Sequence, residues 1–368
     1  MDNQPLTLLN YFSDIPDPRV ERKKLHSLTD ILCITICAVI CGAQYWTQIE
    51  DFGLAKETWF RTFLRLENGI PSHDTFRDLF AALDPEAFGK CFIRWIEALC
   101  THTQGDIVSV DGKALRKSFD KASSKAAIHM ISAFSSANEL VLGQLKVNDK
   151  SNEITAVPKL LELLVLEGAI VTTDALNCQK DIAAKIIDKG ADYVLALKEN
   201  HPNLYTDVEL FFKTHAERCE STEKEVEKGH GRIETRRYWL TDKIDWLEQK
   251  PEWKGLKSIA MVESIREIQG EISTERRYYL TSVMSITDFS RAARNHWHVE
   301  NKLHWSLDVA FREDFSRVRQ GHAAENFSTL RRIALNLLKQ EKTSKRGIES
   351  KRLKAGWDHD YLLKVLKL

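Results

Sequence analysis

From Asp106 onward the hydrophobic period of this chain switches from that of helices to that of strands, and the order of elements beyond that point limits the fold sharply. Segments 107–116, 127–135 and 140–147 read as strands, the last two joined by the turn Ser136-Ala137-Asn138-Glu139. A helix over 154–166, a strand over 169–174, a helix over about 179–189 and a strand over 192–198 come next. Three strands in succession, then helix–strand–helix–strand, demand a mixed sheet with helices on its faces.

The region before this switch reads as helical. Ser27 is placed to cap an apolar helix over 28–43, and Ser72 to cap a helix ending near Leu83. Pro85 suits the first turn of a helix reaching Cys100, with an apolar stripe at Phe88, Phe92, Trp95, Ile96 and Leu99. After residue 198 a helix spans 201–218, and the acid-rich stretch 217–229 reads as a loop. Three strand-like runs come after it at 232–240, 257–268 and 276–283. Helices return at 286–311 and 323–340. The expected layout is therefore a helical domain over 1–103 and an α/β domain over 104–340. That domain carries a β-rich insertion at about 207–285, and a basic tail covers 341–368. From Lys342 onward this tail holds 8 Lys/Arg against 3 Asp/Glu.

Totals exclude little. The 368 residues carry 53 Lys+Arg and 53 Asp+Glu, so any nucleic-acid affinity has to come from local patches. Seven cysteines without a Cys-x-x-Cys pattern read as reduced thiols, most of them in apolar helices. The longest apolar run, 31–43, has 13 residues, short of the ~20 that span a bilayer. The opening segment lacks an apolar targeting stretch, so the expectation is a cytoplasmic, nucleoid-associated protein without a membrane partner.

Three carboxylates stand out by position. Asp111 shares a strand face with Ser109, although Asp111-Gly112 is equally a hairpin-turn signal. Asp174 ends a short apolar strand, where ligands gather at the carboxyl edge of α/β sheets, or else opens the turn before the next helix. Glu300 borders a helical stripe of Val299, Leu303, Leu307 and Ala310, flanked at i−4 and i+4 by His296 and His304. It reads either as a site acid, as a half-exposed bridge between those histidines, or as part of a zinc site with them. In chain order, the three acids are placed to converge on one sheet edge. There, oxygen ligands hold hard divalent ions for in-line phosphoryl displacement. Lys113, Arg116, Lys198, Asn200, His230 and Arg232 lie beside these motifs as candidate phosphate contacts, against the alternative of solvated surface polar groups.

The stretches SLTDILCITICAVICGA, NGIPSHDTF, VSVDGKALRKS, KSNEITAVPKLLELL, VTTDALNCQKDIAAKI, ADYVLALKENH, GHGRIETR and RNHWHVENKLHWSLDVAFRED resemble the DDE transposases of the H-repeat, Rhs-associated insertion-sequence type. The resemblance spans roughly residues 5 to 340. It implies an RNase H-like catalytic domain behind a family-specific, DNA-binding helical domain. It also implies a Mg²⁺-dependent triad of Asp111, Asp174 and Glu300 holding two ions, with Mn²⁺ as a substitute. The implied activity is cleavage and transfer of DNA strands by a homo-oligomer assembled on DNA. The wider superfamily's Tyr, Arg, Glu, Lys signature falls here on Ala293, His296, Glu300 and Leu307, so only the glutamate is kept and His296 takes the arginine's place toward DNA. Two other readings stay open: a transposase-derived DNA-binding protein without turnover, and a metal-dependent nuclease without strand transfer.

Overall fold

The structure is a computed structural model that describes residues 7–100, 103–119, 127–147, 153–222, 225–229 and 231–366. Six helices open it: α1 (Thr7–Phe12), α2 (Leu28–Cys41), α3 (Trp46–Ala55), α4 (Glu57–Phe60), α5 (His73–Ala82) and α6 (Pro85–Leu99). Their starts follow local chemistry. The Ser27 hydroxyl accepts from the Asp30 amide at 2.9 Å, and the Asp84 carboxylate accepts from the Glu86 amide at 3.0 Å ahead of Pro85. The apolar run that is too short for a membrane becomes the buried centre of α2, with Cys33 and Cys37 in its core. No single described helix is long and apolar enough to cross a membrane.

Strands β1 (Ile107–Ala114), β2 (His129–Ser135) and β3 (Leu140–Val147) form an antiparallel meander. Then come α7 (Glu153–Leu163), β4 (Ile170–Thr173), α8 (Lys180–Asp188) and β5 (Asp192–Leu197). β4 lies parallel to both β1 and β5, so the order β3-β2-β1-β4-β5 is the mixed, helix-flanked RNase H-like sheet that the element order demands.

After α9 (Pro202–His215) the chain forms β6 (Glu220–Ser221), β7 (Glu225–Gly229), β8 (Arg232–Thr241), β9 (Ser258–Ile268) and β10 (Glu271–Thr281). Two expectations change here. The strand-rich segment does stand between β5 and the Glu300 helix, but its strands do not fold apart. β10 pairs antiparallel with β5, extending the sheet to ten described strands. An open strand edge leaves backbone donors and acceptors unpaired, and β10 satisfies them along β5. The acid-rich stretch expected as a loop contributes β6 and β7, which pair with β8. In β7 Glu225 stands opposite Arg236, and Glu227, opposite Glu234, reaches diagonally to Arg236 at 3.1 Å.

The expected helix over 286–311 is broken into α10 (Ile286–Asn295), a π-helical turn (Val299–His304) and α11 (Trp305–Val309). α12 (Ala323–Gln340) is buried along most of its length. α13 (Ile348–Trp357) and α14 (His359–Leu366) close the chain. The basic tail is not a free arm. Lys351 and Arg352 are buried, with Lys351 donating to the Leu338 carbonyl and Arg352 to the Val39 and Ile40 carbonyls at the end of α2. Those donors satisfy carbonyls at a helix C-terminus.

Candidate active site

Asp111 is not in a hairpin. β1 pairs with β2 without a break from Val108 to Ala114, Asp111 opposite Ser132 and Gly112 opposite Ile131. On its other side β1 runs parallel to β4, with Val110 matched to Thr173. The residue after each is a candidate acid, Asp111 within β1 and Asp174 just past the end of β4. Side chains alternate along strands, so Asp111 lies on the face that carries Ser109 and Thr172, and Asp174 stands where β4 ends. Those hydroxyls touch at 3.3 Å, and Thr172 Oγ1 is hydrogen-bonded to His296 Nδ1 at 2.9 Å. The chain that ends α10 therefore lies across this face.

The π-helical turn brings Glu300 to the same edge. Such turns carry one extra residue per bonded loop and re-aim the side chains that follow. His304 Nδ1 lies 3.6 Å from Asp111 Oδ2 and 3.5 Å from Glu300 Oε2. Asp111, Glu300 and His304 together offer one ligand atom each within 4.8 Å of one another. His304 Nε2 is buried without a hydrogen-bond partner. Of the zinc set considered from sequence, His304 and Glu300 meet here, while His296 is turned to Thr172.

The electrostatics are those of crowded acids. Burial, then the charges of Glu300 and Asp174, push the Asp111 carboxyl up to about 8. Glu300 is held below the usual carboxylate range, first by its hydrogen bond from His304. The crowded acids repel one another, a divalent cation would relieve that repulsion, and a mainly oxygen donor set fits a hard ion.

A second layer of residues escaped sequence reasoning. Asn177 donates from its side chain to Asp174 Oδ1 at 2.9 Å and to Glu153 Oε2 at 3.3 Å, bridging the two carboxylates. Glu153 is hydrogen-bonded on its other oxygen to His129. Gly112 lets this pair approach β1: a Cβ there would lie 2.5 Å from His129 Nε2 and collide with Glu153. That close approach is the physical reason for glycine after Asp111. Only spatial proximity links residues 112, 129, 153 and 177, so no spacing in the sequence could reveal them.

A family model described as "Transposase DDE domain" matches residues 102–337, and a second, "DDE_Tnp_1-associated", matches residues 9–96. The chain belongs to the DDE transposase family. It is 44% identical over 367 residues to "H repeat-associated putative transposase YhhI" of Escherichia coli (strain K12), covering 98% of this chain and 97% of that one. It is 44% identical over 370 residues to "Putative transposase YncI" of Escherichia coli O157:H7, at 98% and 94% coverage. An "Uncharacterized protein in dhlA 3'region" of Xanthobacter autotrophicus is 49% identical over 277 residues, 74% of this chain and 93% of that one.

The basic candidates of this DDE transposase are placed unevenly. Lys113 turns inward. Its side chain is 10% exposed, and its ammonium donates to Asp308 at 2.5 Å and lies 3.5 Å from Asp314, so it braces β1 against α11. Arg116 is 81% exposed. Lys198 and Asn200 line a cavity of about 500 Å³ next to Ala175, and Asn200 donates to the Ala175 carbonyl at 2.9 Å. Arg232 is half exposed at the start of β8. His296 carries no positive charge near neutrality, because desolvation holds its imidazole down to about 4. His230 lies outside the described residues.

Proposed function

We propose that this chain is a DNA transposase that cleaves strands at the ends of an insertion element and joins them to target DNA, with Asp111, Asp174 and Glu300 as its metal-binding carboxylates. The observation that carries this reading is the register of Val110 with Thr173 on parallel strands, which sets Asp111 and the strand-end residue Asp174 at one edge, with Glu300 brought toward Asp111 by the π-helical turn.

Two divalent ions, Mg²⁺ or Mn²⁺ in its stead, would supply charge relief on the leaving oxygen and an acidified attacking hydroxyl or water. The residues do the rest. Asp111 and Asp174 hold their oxygens at one edge of a rigid sheet, Asn177 fixes one Asp174 oxygen, and His304 orients Glu300. Rigid placement of this kind matters because in-line displacement depends on aligning the attacking and leaving oxygens. No nucleophilic side chain is needed. Arg116, Lys198, Asn200 and Arg232 are assigned contacts to DNA phosphates around this edge, and the helices over 9–96 are assigned to element ends. A homo-oligomer assembled on DNA completes the reading.

The test is nicking and strand transfer on DNA carrying the element's own ends, with and without Mg²⁺, beside a binding assay. Nicked ends joined to a target plasmid support the transposase. Nicking without joining favours the nuclease, and binding without either favours a DNA-binding remnant. A relative named "Inactive transposase YbfQ" makes this last outcome worth measuring.

A further inference from the structure

A second concentration of charge lines a cavity of about 230 Å³ between β8, β9, β10 and the end of α10. Five arginines face it: Arg232 and Arg236 from β8, Arg266 from β9, Arg277 from β10 and Arg294 from α10. Strand alternation explains how they meet. In β8, residues 232, 234, 236 and 238 share a face, and the register sets Glu234 opposite Arg266. The inner end of that face is apolar. There Tyr238, Val262 and Tyr279 pack with Phe289 and Ala292. At the outer end the same rows carry guanidiniums.

The wall holds one carboxylate, Glu234, which is 4% exposed and lies 2.6 Å from Arg236, 3.2 Å from Arg266 and 3.6 Å from Arg232. From outside the wall Glu227 pairs with Arg236 and Arg294, Glu275 pairs with Arg277 and lies 4.0 Å from Arg266, and Glu225 accepts from the Tyr238 hydroxyl. These acids fix the guanidiniums in place. They do not use all their donors, since each arginine carries five N–H groups. The result is a preorganised basic cup, the arrangement that recognises phosphate oxygens.

Its position is specific. Trp297 and Asn301, on either side of Glu300 in the chain, line the cup. Arg277 belongs both to the cup and to the larger cavity that holds Lys198, Asn200 and Arg276 beside Ala175, the residue after Asp174. The two cavities therefore flank the acidic edge and share one arginine.

We propose that this cup is a phosphate subsite that holds one backbone phosphodiester of the DNA strand running past Glu300. The inference rests on the chain being a DNA-processing transposase. A cavity of this size admits a phosphodiester group and excludes a duplex.

The experiment measures binding of the full chain to a short fluorescein-labelled single strand of the element's end sequence, in EDTA, across a salt series. Arg266→Ala and Arg294→Ala should each weaken binding roughly tenfold and lower the salt slope, by no more than the ~0.7 that one single-strand phosphate contributes. Glu275→Gln, which removes an acid beside the cup, should tighten binding. Lys250→Ala, paired with Asp245 at a distance from the cup, is the control and should change neither quantity. Arg266→Lys keeps the charge and secures the comparison if the alanine variant melts early. Unchanged affinity and slope in both arginine variants overturn the proposal. So does weaker binding by Glu275→Gln, which would mark the cluster as a structural ion-pair network. Cup-dependent binding of inorganic phosphate with cup-independent DNA binding would make it a free-anion site and overturn it too. Intact nicking with cup-independent DNA binding sinks this subsite alone. Cup-dependent binding by a chain that never nicks sinks the catalytic reading alone.

Discussion

Asp111 and Asp174 come directly after a matched pair of residues, Val110 and Thr173, on neighbouring parallel strands. Asp111 thus stands on a face that already carries Ser109 and Thr172 in contact, and Asp174 begins where β4 leaves that sheet edge. Glu300 reaches Asp111 from a different element and lies 3.5 Å from His304 in the same π-helical turn. Substitution, pH and metal titration separate the work of these groups.

Replacing any of the three acids by its amide keeps size but removes a charged oxygen ligand. Asp111→Asn, Asp174→Asn and Glu300→Gln are each expected to abolish Mg²⁺-dependent nicking while leaving affinity for end DNA within about threefold, since cationic phosphate contacts dominate binding. Gel-resolved nicking and anisotropy on the same preparations check this. Full cleavage by Glu300→Gln would remove Glu300 from the triad. His296→Ala should be milder, because this neutral imidazole contacts Thr172.

The Asp111 carboxyl predicts a pH dependence for the metal-free protein. Its folded value of about 8 lies above its ordinary value of 3.8, so the native state binds the extra proton between those limits. Stability then falls as pH rises through that window. Melting temperature in EDTA should drop as pH rises toward and through about 8 in the wild type, and less in Asp111→Asn. Saturating Mg²⁺ should remove the drop. An equal slope in both proteins would contradict the assignment of this proton to Asp111.

The bridge from Glu153 through Asn177 to Asp174 should be felt in metal affinity. Groups that orient metal-binding side chains typically cost about 10–100-fold in affinity when removed. Asn177→Ala is expected to shift the Mn²⁺ titration midpoint by about that factor. Gly112→Ala acts differently: its Cβ would press on His129 and Glu153, at an expected cost of about 1–3 kcal/mol from overpacking. Calorimetric Mn²⁺ binding and urea unfolding distinguish the two effects.

Stability away from the site should depend on Glu313. Its side chain is fully buried, 2.8 Å from Arg332 and 4.0 Å from Arg331, both on α12. Glu313→Gln would leave two buried guanidiniums without a counter-charge and is expected to cost about 3–5 kcal/mol in chemical denaturation. A loss below about 1 kcal/mol would mean that water or a carbonyl already compensates the arginines.

Local chemistry made much of this fold legible from the amino-acid order. Ser27, Ser72 and Asp84 cap helices because their side-chain oxygens lie within reach of amides two or three residues on. The alternation around Asp111, and the short apolar run that stops at Asp174, fixed their strands for the same reason: period and termination are properties of a few consecutive residues. The continuous helix expected across Glu300 failed at a π-helical turn, which the apolar stripe at a spacing of three and four does not encode.

Everything that depended on a distant partner was decided by the tertiary structure. The separate β insertion became a continuation of the sheet because β5 had an open edge for β10. Lys113 turned inward because Asp308, from a helix almost two hundred residues later, stands over β1. The basic tail became a docked helix pair because the end of α2 offers carbonyls to Arg352. Glu153 and the arginine cup were invisible for the same reason. The order of residues set which side chains each strand and helix presents, while burial and charge between elements far apart in the chain chose which of them meet.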